Sequence, residues 1–227
     1  MISIIFILTA YLIGSIPTAY LVGRITKKID IRHYGSHNVG ASNIWAHVGK
    51  RATIIVGAFD FLVKGSIPVY LTQSLCDTTW LSALVGLGLV IGHNWSVYIK
   101  FSGGRGRLVT GGVLLILAWK ELLILLAIAI TGWIITKSSA MWVAIAMLSL
   151  PIWTIVFNEP TEITIISIAL LLVTALKRVI GNPTNKSSTH LKNVFLHRLI
   201  YDRDIANREQ WINDTPDNPP IPPDDKT

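Results

Sequence analysis

The segment Phe101-Ser102-Gly103-Gly104-Arg105-Gly106-Arg107 closely follows an apolar stretch that ends in Ile91-Gly92-His93-Asn94-Trp95. Glycines let successive backbone N–H groups turn toward one point, and Arg105 and Arg107 add fixed positive charge beside them. That combination suits a phosphate, with Ser102, Gly103, Gly104 and Gly106 as its contacts and Arg105 as the principal cation. The plainer alternative is a glycine turn between two helices, since short glycine motifs are common. The place of the loop is informative. At the end of a membrane-length apolar run a soluble nucleotide-binding fold is excluded, and phosphate handled at a membrane surface points to lipid chemistry more than to energy coupling.

A second polar constellation precedes it. Asp30-Ile31-Arg32 leads into Gly35-Ser36-His37-Asn38-Val39-Gly40-Ala41-Ser42-Asn43. Small residues allow a compact loop with exposed backbone donors, and Ser36, Asn38 and Asn43 offer neutral hydrogen bonds to a polyol phosphate. A surface loop rich in turn-forming Asn and Gly is the alternative. Asp60 and Lys64 stand four apart in an apolar segment, so they share a helix face and can pair as a structural ion pair. His93 could act as a base, as a phosphate donor, or only as a polar residue near the interface.

Other chemistry is missing from the chain. No Ser-His-Asp order, Walker loop or pair of metal-ligating histidines is present, and the single cysteine, Cys76, permits neither a disulfide nor a cysteine-rich metal motif. No metal or cofactor is expected. Acyl transfer would have to start from an activated donor, with the protein supplying position and charge.

The elements that must position these groups are apolar. Of 227 residues 51% are hydrophobic and only 15% charged, with the apolar residues in long runs. The mean hydropathy is +0.53. The expected fold class is therefore all-α, a polytopic membrane protein of about seven helices, at about 1–23, 53–75, 79–99, 108–120, 121–137, 139–157 and 161–177. The fourth and fifth are divided only by Lys120-Glu121, as a tight hairpin or one broken segment. Gly14-Ser15-Ile16-Pro17 interrupts the first and should kink it. No basic residue precedes Arg24, so no cleavable signal is evident and the N-terminus is expected outside. Arg24, Lys27, Lys28, Arg32, Lys50 and Arg51, then Lys100, Arg105 and Arg107, then Lys137 fall on alternate loops. Those loops are expected inside, and with them the C-terminus. The net charge of +7 fits such loops and anionic headgroups better than nucleic acid. Residues 1–177 read as one membrane domain, 178–211 as a basic cytoplasmic segment with amphipathic character, and 212–227 as a disordered Pro- and Asp-rich tail.

In order and spacing, Gly14-Ser15-Ile16-Pro17, Gly35-Ser36 with Gly40-Ala41-Ser42-Asn43, Asp60 with Lys64-Gly65, Gly92-His93-Asn94-Trp95-Ser96-Val97 and Phe101-Ser102-Gly103-Gly104-Arg105-Gly106 resemble the PlsY family. These are bacterial inner-membrane acyl-phosphate:glycerol-3-phosphate acyltransferases. The resemblance covers about the first half of the chain and agrees with seven spans. It implies transfer of a fatty acyl group from acyl phosphate to the 1-hydroxyl of glycerol 3-phosphate, giving lysophosphatidate and phosphate in a bacterial membrane. It implies membrane lipid as the setting and no coenzyme A, acyl carrier protein or metal, and it is compatible with a monomer. By the same resemblance Ser36 contacts the polar substrate, and Gly103, Gly104 and Gly106 shape the acyl-phosphate site, with catalytic duty expected of Ser36, His93 and Arg105.

The chain departs from the family pattern in several places. Arg105 stands where lysine is usual, Ser42 where threonine is, and Ala46 where an arginine is expected. The family's third motif, His-Arg-x-Asn-x-x-Arg, lacks its His and Asn around residues 172–178. A similar string, His197-Arg198-Leu199-Ile200-Tyr201-Asp202-Arg203, occurs later, either displaced or by coincidence. If Ala46 leaves a phosphate without its cation, Lys50, Arg51 and Arg203 are the candidates by sequence, with Arg203 favoured. Two further readings stand beside the enzyme: a non-catalytic paralogue that binds phosphorylated lipid precursors, and a small anion transporter. The lack of internal repeats and the gathering of polar signals at one membrane face disfavour the transporter.

Overall fold

The computed structural model describes residues 2–76 and 78–181, with Arg198, Asp202, Glu209, Asn213, Thr215 and Pro216. The basic segment and the tail expected over 178–227 therefore fall largely outside the described residues, and Arg203 entirely so. All seven expected apolar segments are helical, and six are long and apolar enough to cross a membrane. The first is α1 (Ile2–Ser15) and α2 (Thr18–Lys27), separated at the anticipated Ile16-Pro17 break. A short turn of 3-10 helix (Ile31–His33) and α3 (Ala41–His47) follow in the first loop. The second span runs through α4 (Lys50–Ala58), a π-helical segment (Phe59–Ser66) and α5 (Ile67–Leu75). Next come α6 (Thr79–Asn94), α7 (Arg107–Leu117), α8 (Trp119–Thr136), α9 (Ser139–Val156) and α10 (Thr161–Ile180).

Two details differ from the expected spans. The fourth, α7, has 11 residues, about 16 Å of helix, well short of the hydrocarbon core. The break after it falls at Ala118, which has φ −155° and ψ 60°, so Lys120 and Glu121 lie in the first turn of α8. The charged pair alone misplaced that boundary, because a basic and an acidic residue are as much at home in a helix as between two. The last span also runs three residues longer than expected, carrying Lys177 and Arg178 within α10.

Helix α6 is the centre of the bundle, packed by α1, α5, α7 and α10. Lipid gives no hydrophobic reason for helices to associate, so close approach of small residues must supply the attraction. Gly14 on α1 meets the Leu89 backbone, while Gly88 and Gly92 on α6 meet Ala10, the Tyr11 carbonyl and Ser15. Gly65 and Gly112 cross in the same way between the π segment and α7. There Ser66 Oγ donates to Gly112 O at 3.2 Å and to Phe61 O at 3.0 Å. On α8, Gly132 accepts the Trp142 ring of α9, and Trp142 Nε1 donates to Thr136 Oγ1 at 2.9 Å. Large side chains such as Ile4, Leu75, Leu123, Ile135 and Leu172 point outward, where acyl chains would receive them.

A methyl group at Gly92 would strike the Tyr11 carbonyl, which a helix cannot move locally, whereas at Gly57 the nearest atom is Leu108 Cδ1 at 3.7 Å. Gly92→Ala is expected to lower unfolding stability in detergent by about 1–3 kcal/mol. Gly57→Ala should be neutral, or raise stability by up to about 1 kcal/mol through helix propensity. Denaturation of the two variants beside the parent protein checks this.

Candidate functional site

The helix break at Ile16-Pro17 leaves backbone carbonyls without intrahelical donors, and a buried lysine answers them. Lys64, fully buried, donates to Ile16 O at 2.7 Å, pairs with Asp60 Oδ1 at 2.7 Å and reaches His93 Nδ1 at 3.2 Å. Thr18 Oγ1 donates to the same Asp60 oxygen at 3.0 Å, and Ser96 Oγ donates to Ser15 O. An ammonium group has three donors and no acceptor, so these contacts use Lys64 completely. They also fix the tautomer of His93. Because Lys64 can only donate, Nδ1 of His93 accepts, and the ring proton of the neutral imidazole sits on Nε2. His93 is thereby a hydrogen-bond donor at Nε2 and has no free lone pair with which to act as a base.

The expected Asp60–Lys64 ion pair is present, in π-helical rather than α-helical backbone. Pro68, one residue into α5, cannot donate a helical hydrogen bond, and the wide turn precedes it.

The glycine loop works differently from an open anion nest. Of its glycines only Gly106 has a left-handed backbone, with φ 67°, beside Phe101 at φ 60°. Gly104 N–H is donated to His93 O at 3.0 Å. A Cβ on Gly103 would strike the His93 and Asn94 carbonyls, and one on Gly104 the His93 ring and the Val39 carbonyl. These two glycines are therefore needed for close approach. They wrap the loop over His93-Asn94 and bring it against the first loop. Ser102 N–H closes a turn onto Ile99 O at 3.2 Å, and among the loop residues Arg105, Gly106 and Arg107 line the cavity described below.

The first loop is held by its own polar groups. Asn43, expected to contact substrate, spends its amide on the loop: Nδ2 donates to Ile31 O, Tyr34 O and Asn38 O at 3.1, 2.8 and 3.2 Å, and Oδ1 accepts from Ser36 N at 3.4 Å. These bonds tie Asn43 into the loop, and the residue also lines the cavity described below. At the loop's start, Arg32 Nη2 meets Asp30 Oδ2 at 2.7 Å and the Arg32 guanidinium lies 5.0 Å from the Tyr20 ring. Burial pushes the Asp30 carboxyl up, but hydrogen bonds and charge from Arg32 more than offset it and hold it below the ordinary carboxylate value.

A cavity of about 940 Å³ opens where these parts meet. Ser36, Asn38 and Ala46 of the first loop, Asp60, His93, Arg105 and Arg107 line it, with the α8–α9 turn from Thr136 to Ala140 closing one side. Loops expected on one membrane face thus share one site. Lys50 and Arg51, candidates to replace the arginine missing at Ala46, are not on its wall; Lys50 Nζ instead lies 5.6 Å from the Trp45 ring. Three contributors went unrecognised in the sequence. Arg178 Nη1 donates to Ala140 O at 3.1 Å, Lys177 lies 5.6 Å from the Trp95 ring, and Asp202 pairs with Arg105 and Arg107. The Lys177-Arg178 pair was the available signal, since charge inside an apolar span marks a site by default.

Removing Lys64 would strand a buried carboxylate. Lys64→Met is expected to cost about 3–5 kcal/mol, and Asp60→Leu together with Lys64→Met to recover much of that loss. Equilibrium unfolding of the single and double variants measures both.

The chain has relatives among known proteins. A family model described as glycerol-3-phosphate acyltransferase matches residues 4–185. Glycerol-3-phosphate acyltransferase 4 of Dehalococcoides mccartyi (strain CBDB1) is 37% identical over 217 residues, covering 92% of this chain and 93% of that protein. The protein from Endomicrobium trichonymphae with the same name, without a number, is 34% identical over 192 residues, 82% of this chain and 96% of its own. Among solved structures, PlsY (YgiH), an integral membrane glycerol 3-phosphate acyltransferase in its glycerol 3-phosphate form, superimposes with a TM-score of 0.70 at 25% identity. That match covers 78% of this chain and 88% of that one. Since the matched region runs from within α1 through α10 and takes in both polar loops, the chain belongs to the glycerol-3-phosphate acyltransferase family, the PlsY type.

Proposed function

We propose that this protein transfers a fatty acyl group from acyl phosphate to the 1-hydroxyl of glycerol 3-phosphate, releasing inorganic phosphate and lysophosphatidate for phospholipid synthesis. The observation that carries the reading is the cavity shared by Ser36, Asn38, His93, Arg105 and Arg107 at one end of the bundle. It supplies cationic and neutral donors for phosphate oxygens, and the lipid-facing helices around it give an acyl chain a place to lie. Following the alternation of basic loops, this end faces the cytoplasm of a bacterial cell.

In this reading the hydroxyl oxygen attacks the acyl carbonyl carbon and the bond from that carbon to the phosphate oxygen breaks. Arg105 and Arg107 stabilise the charge gathering on the departing phosphate. Arg105 keeps the charge of the lysine usual at its position but offers a planar fork of donors. His93 donates from Nε2, while Ser36 and Asn38 orient the polyol. With Nδ1 of His93 occupied by Lys64 and Asp60 engaged by Lys64 and Thr18, neither is an available base. The hydroxyl proton leaves on the phosphate, whose second ionisation lies near neutrality. The duty of the arginine missing at Ala46 falls to the guanidinium groups at the cavity, without need of Lys50 or Arg51.

Purified protein given acyl phosphate and glycerol 3-phosphate should form lysophosphatidate and inorganic phosphate in equal amounts, and acyl-coenzyme A should not replace the donor. Failure with every acyl-phosphate chain length would leave only binding. Arg105→Ala should reduce kcat/KM by about 2–4 kcal/mol, roughly 30- to 1,000-fold. Arg105→Lys should retain most of the activity.

A further inference from the structure

Of the two acidic residues described on the cavity wall, Asp202 is the one paired with Arg105 and Arg107, and its setting is unusual for a surface carboxylate. It is 2% exposed. Its backbone is left-handed, with φ 58°, and its N–H donates to Arg198 O at 3.0 Å. A residue other than glycine held in that region carries a conformational cost, although aspartate tolerates it better than most. The cost places one carboxylate oxygen, Oδ2, on two cations at once: Arg105 Nη1 at 2.6 Å and Arg107 Nη2 closer still. The other oxygen, Oδ1, is buried without a hydrogen bond, and Arg178 Nε approaches it only to 3.8 Å.

Two guanidinium groups thus bind one carboxylate oxygen, and a third, Arg178, stands near the other while donating its Nε to Arg198 O at 2.9 Å. A carboxylate brings one negative charge and two oxygens, while a phosphate monoester or acyl phosphate brings up to two charges and three terminal oxygens. Facing Arg105 and Arg107, Asp202 therefore brings less charge and fewer acceptors than a phosphate would. A group that sits on the very nitrogens a substrate phosphate needs, yet satisfies them less fully, is a displaceable stand-in for that phosphate.

We propose that Asp202 is an internal surrogate for phosphate, whose carboxylate occupies the Arg105–Arg107 pair between turnovers and sets the affinity for the phosphorylated substrate by competing with it. Keeping Arg105 and Arg107 on a carboxylate when no substrate is bound offsets part of the cost of holding two cations side by side in a partly buried site. The same competition weakens the hold on inorganic phosphate, the expected product, and so favours its release. This inference rests on the reading of the cavity as a phosphate site, but its test does not need acyl transfer.

The probe is inorganic phosphate, titrated calorimetrically into the full-length protein in lipid nanodiscs. Asp202→Asn and Asp202→Ser remove the competing charge, and Asp202→Glu keeps it. Both neutral variants should bind phosphate about tenfold more tightly than the parent, with Asp202→Glu close to the parent. The KM for a phosphorylated substrate should fall in step. Equal or weaker phosphate binding in the folded neutral variants would overturn the proposal and leave Asp202 as a positioning residue for the arginines. Absence of phosphate binding in all four proteins would overturn it as well. Loss of acyl transfer with tighter phosphate binding intact would instead refute the proposed activity and leave the surrogate standing.

Discussion

One ammonium group joins the parts of this molecule that sequence separates. Lys64 has three donors, and the fold spends them on three different elements: the Ile16 carbonyl at the break before Pro17, the carboxylate of Asp60, and the ring of His93. A lysine buried among membrane helices is costly unless each of its protons is met. That requirement constrains the rest. The first span must break where it does, the second must present Asp60 and Lys64 to the same point, and α6 must end with His93 beside them. A binding cavity bordered by Asp60 and His93 follows from the constraint.

Glycine provides the other half of the construction. Gly14, Gly88 and Gly92 allow α1 and α6 to touch backbone to backbone, and Gly65 and Gly112 do the same for the π segment and α7. Gly103 and Gly104 extend this use of small residues beyond the bundle, pressing the arginine loop onto the His93-Asn94 backbone. The result places Arg105 and Arg107 on the same cavity wall as Ser36 and Asn38. Rigid contact between backbones is well suited to holding charged groups for the proposed transfer, in which the donor is already activated and the protein must mainly position and stabilise charge.

Much of this was legible in the residues. Long apolar runs disclosed the membrane helices, Pro17 the break, and the spacing of Asp60 and Lys64 their pairing. Ordered motifs from Gly14 to Gly106 carried the family. What the sequence concealed depends on three-dimensional accounting. That the amide of Asn43 meets three loop carbonyls could not be read from its place in the sequence. A glycine needed for close approach looks in sequence like a glycine needed for a left-handed turn, and only Gly106 of the arginine loop is the latter. The short α7 was hidden because apolar composition continues through Ala118 into α8. Asp202, 95 residues from Arg107, has no local pattern that would announce its pairing.

The claim on which the account turns is that Lys64 donates to His93 and so holds the imidazole with its proton on Nε2, ready to donate and unable to serve as a base. Nitrogen NMR of protein labelled at histidine, assigned by loss of the His93 signal in a His93→Gln variant and recorded in lipid near neutral pH, observes that proton directly. A neutral imidazole with hydrogen on Nε2 and a hydrogen-bonded, unprotonated Nδ1 is the predicted result. A proton on Nδ1, with Nε2 free to accept, would contradict the account.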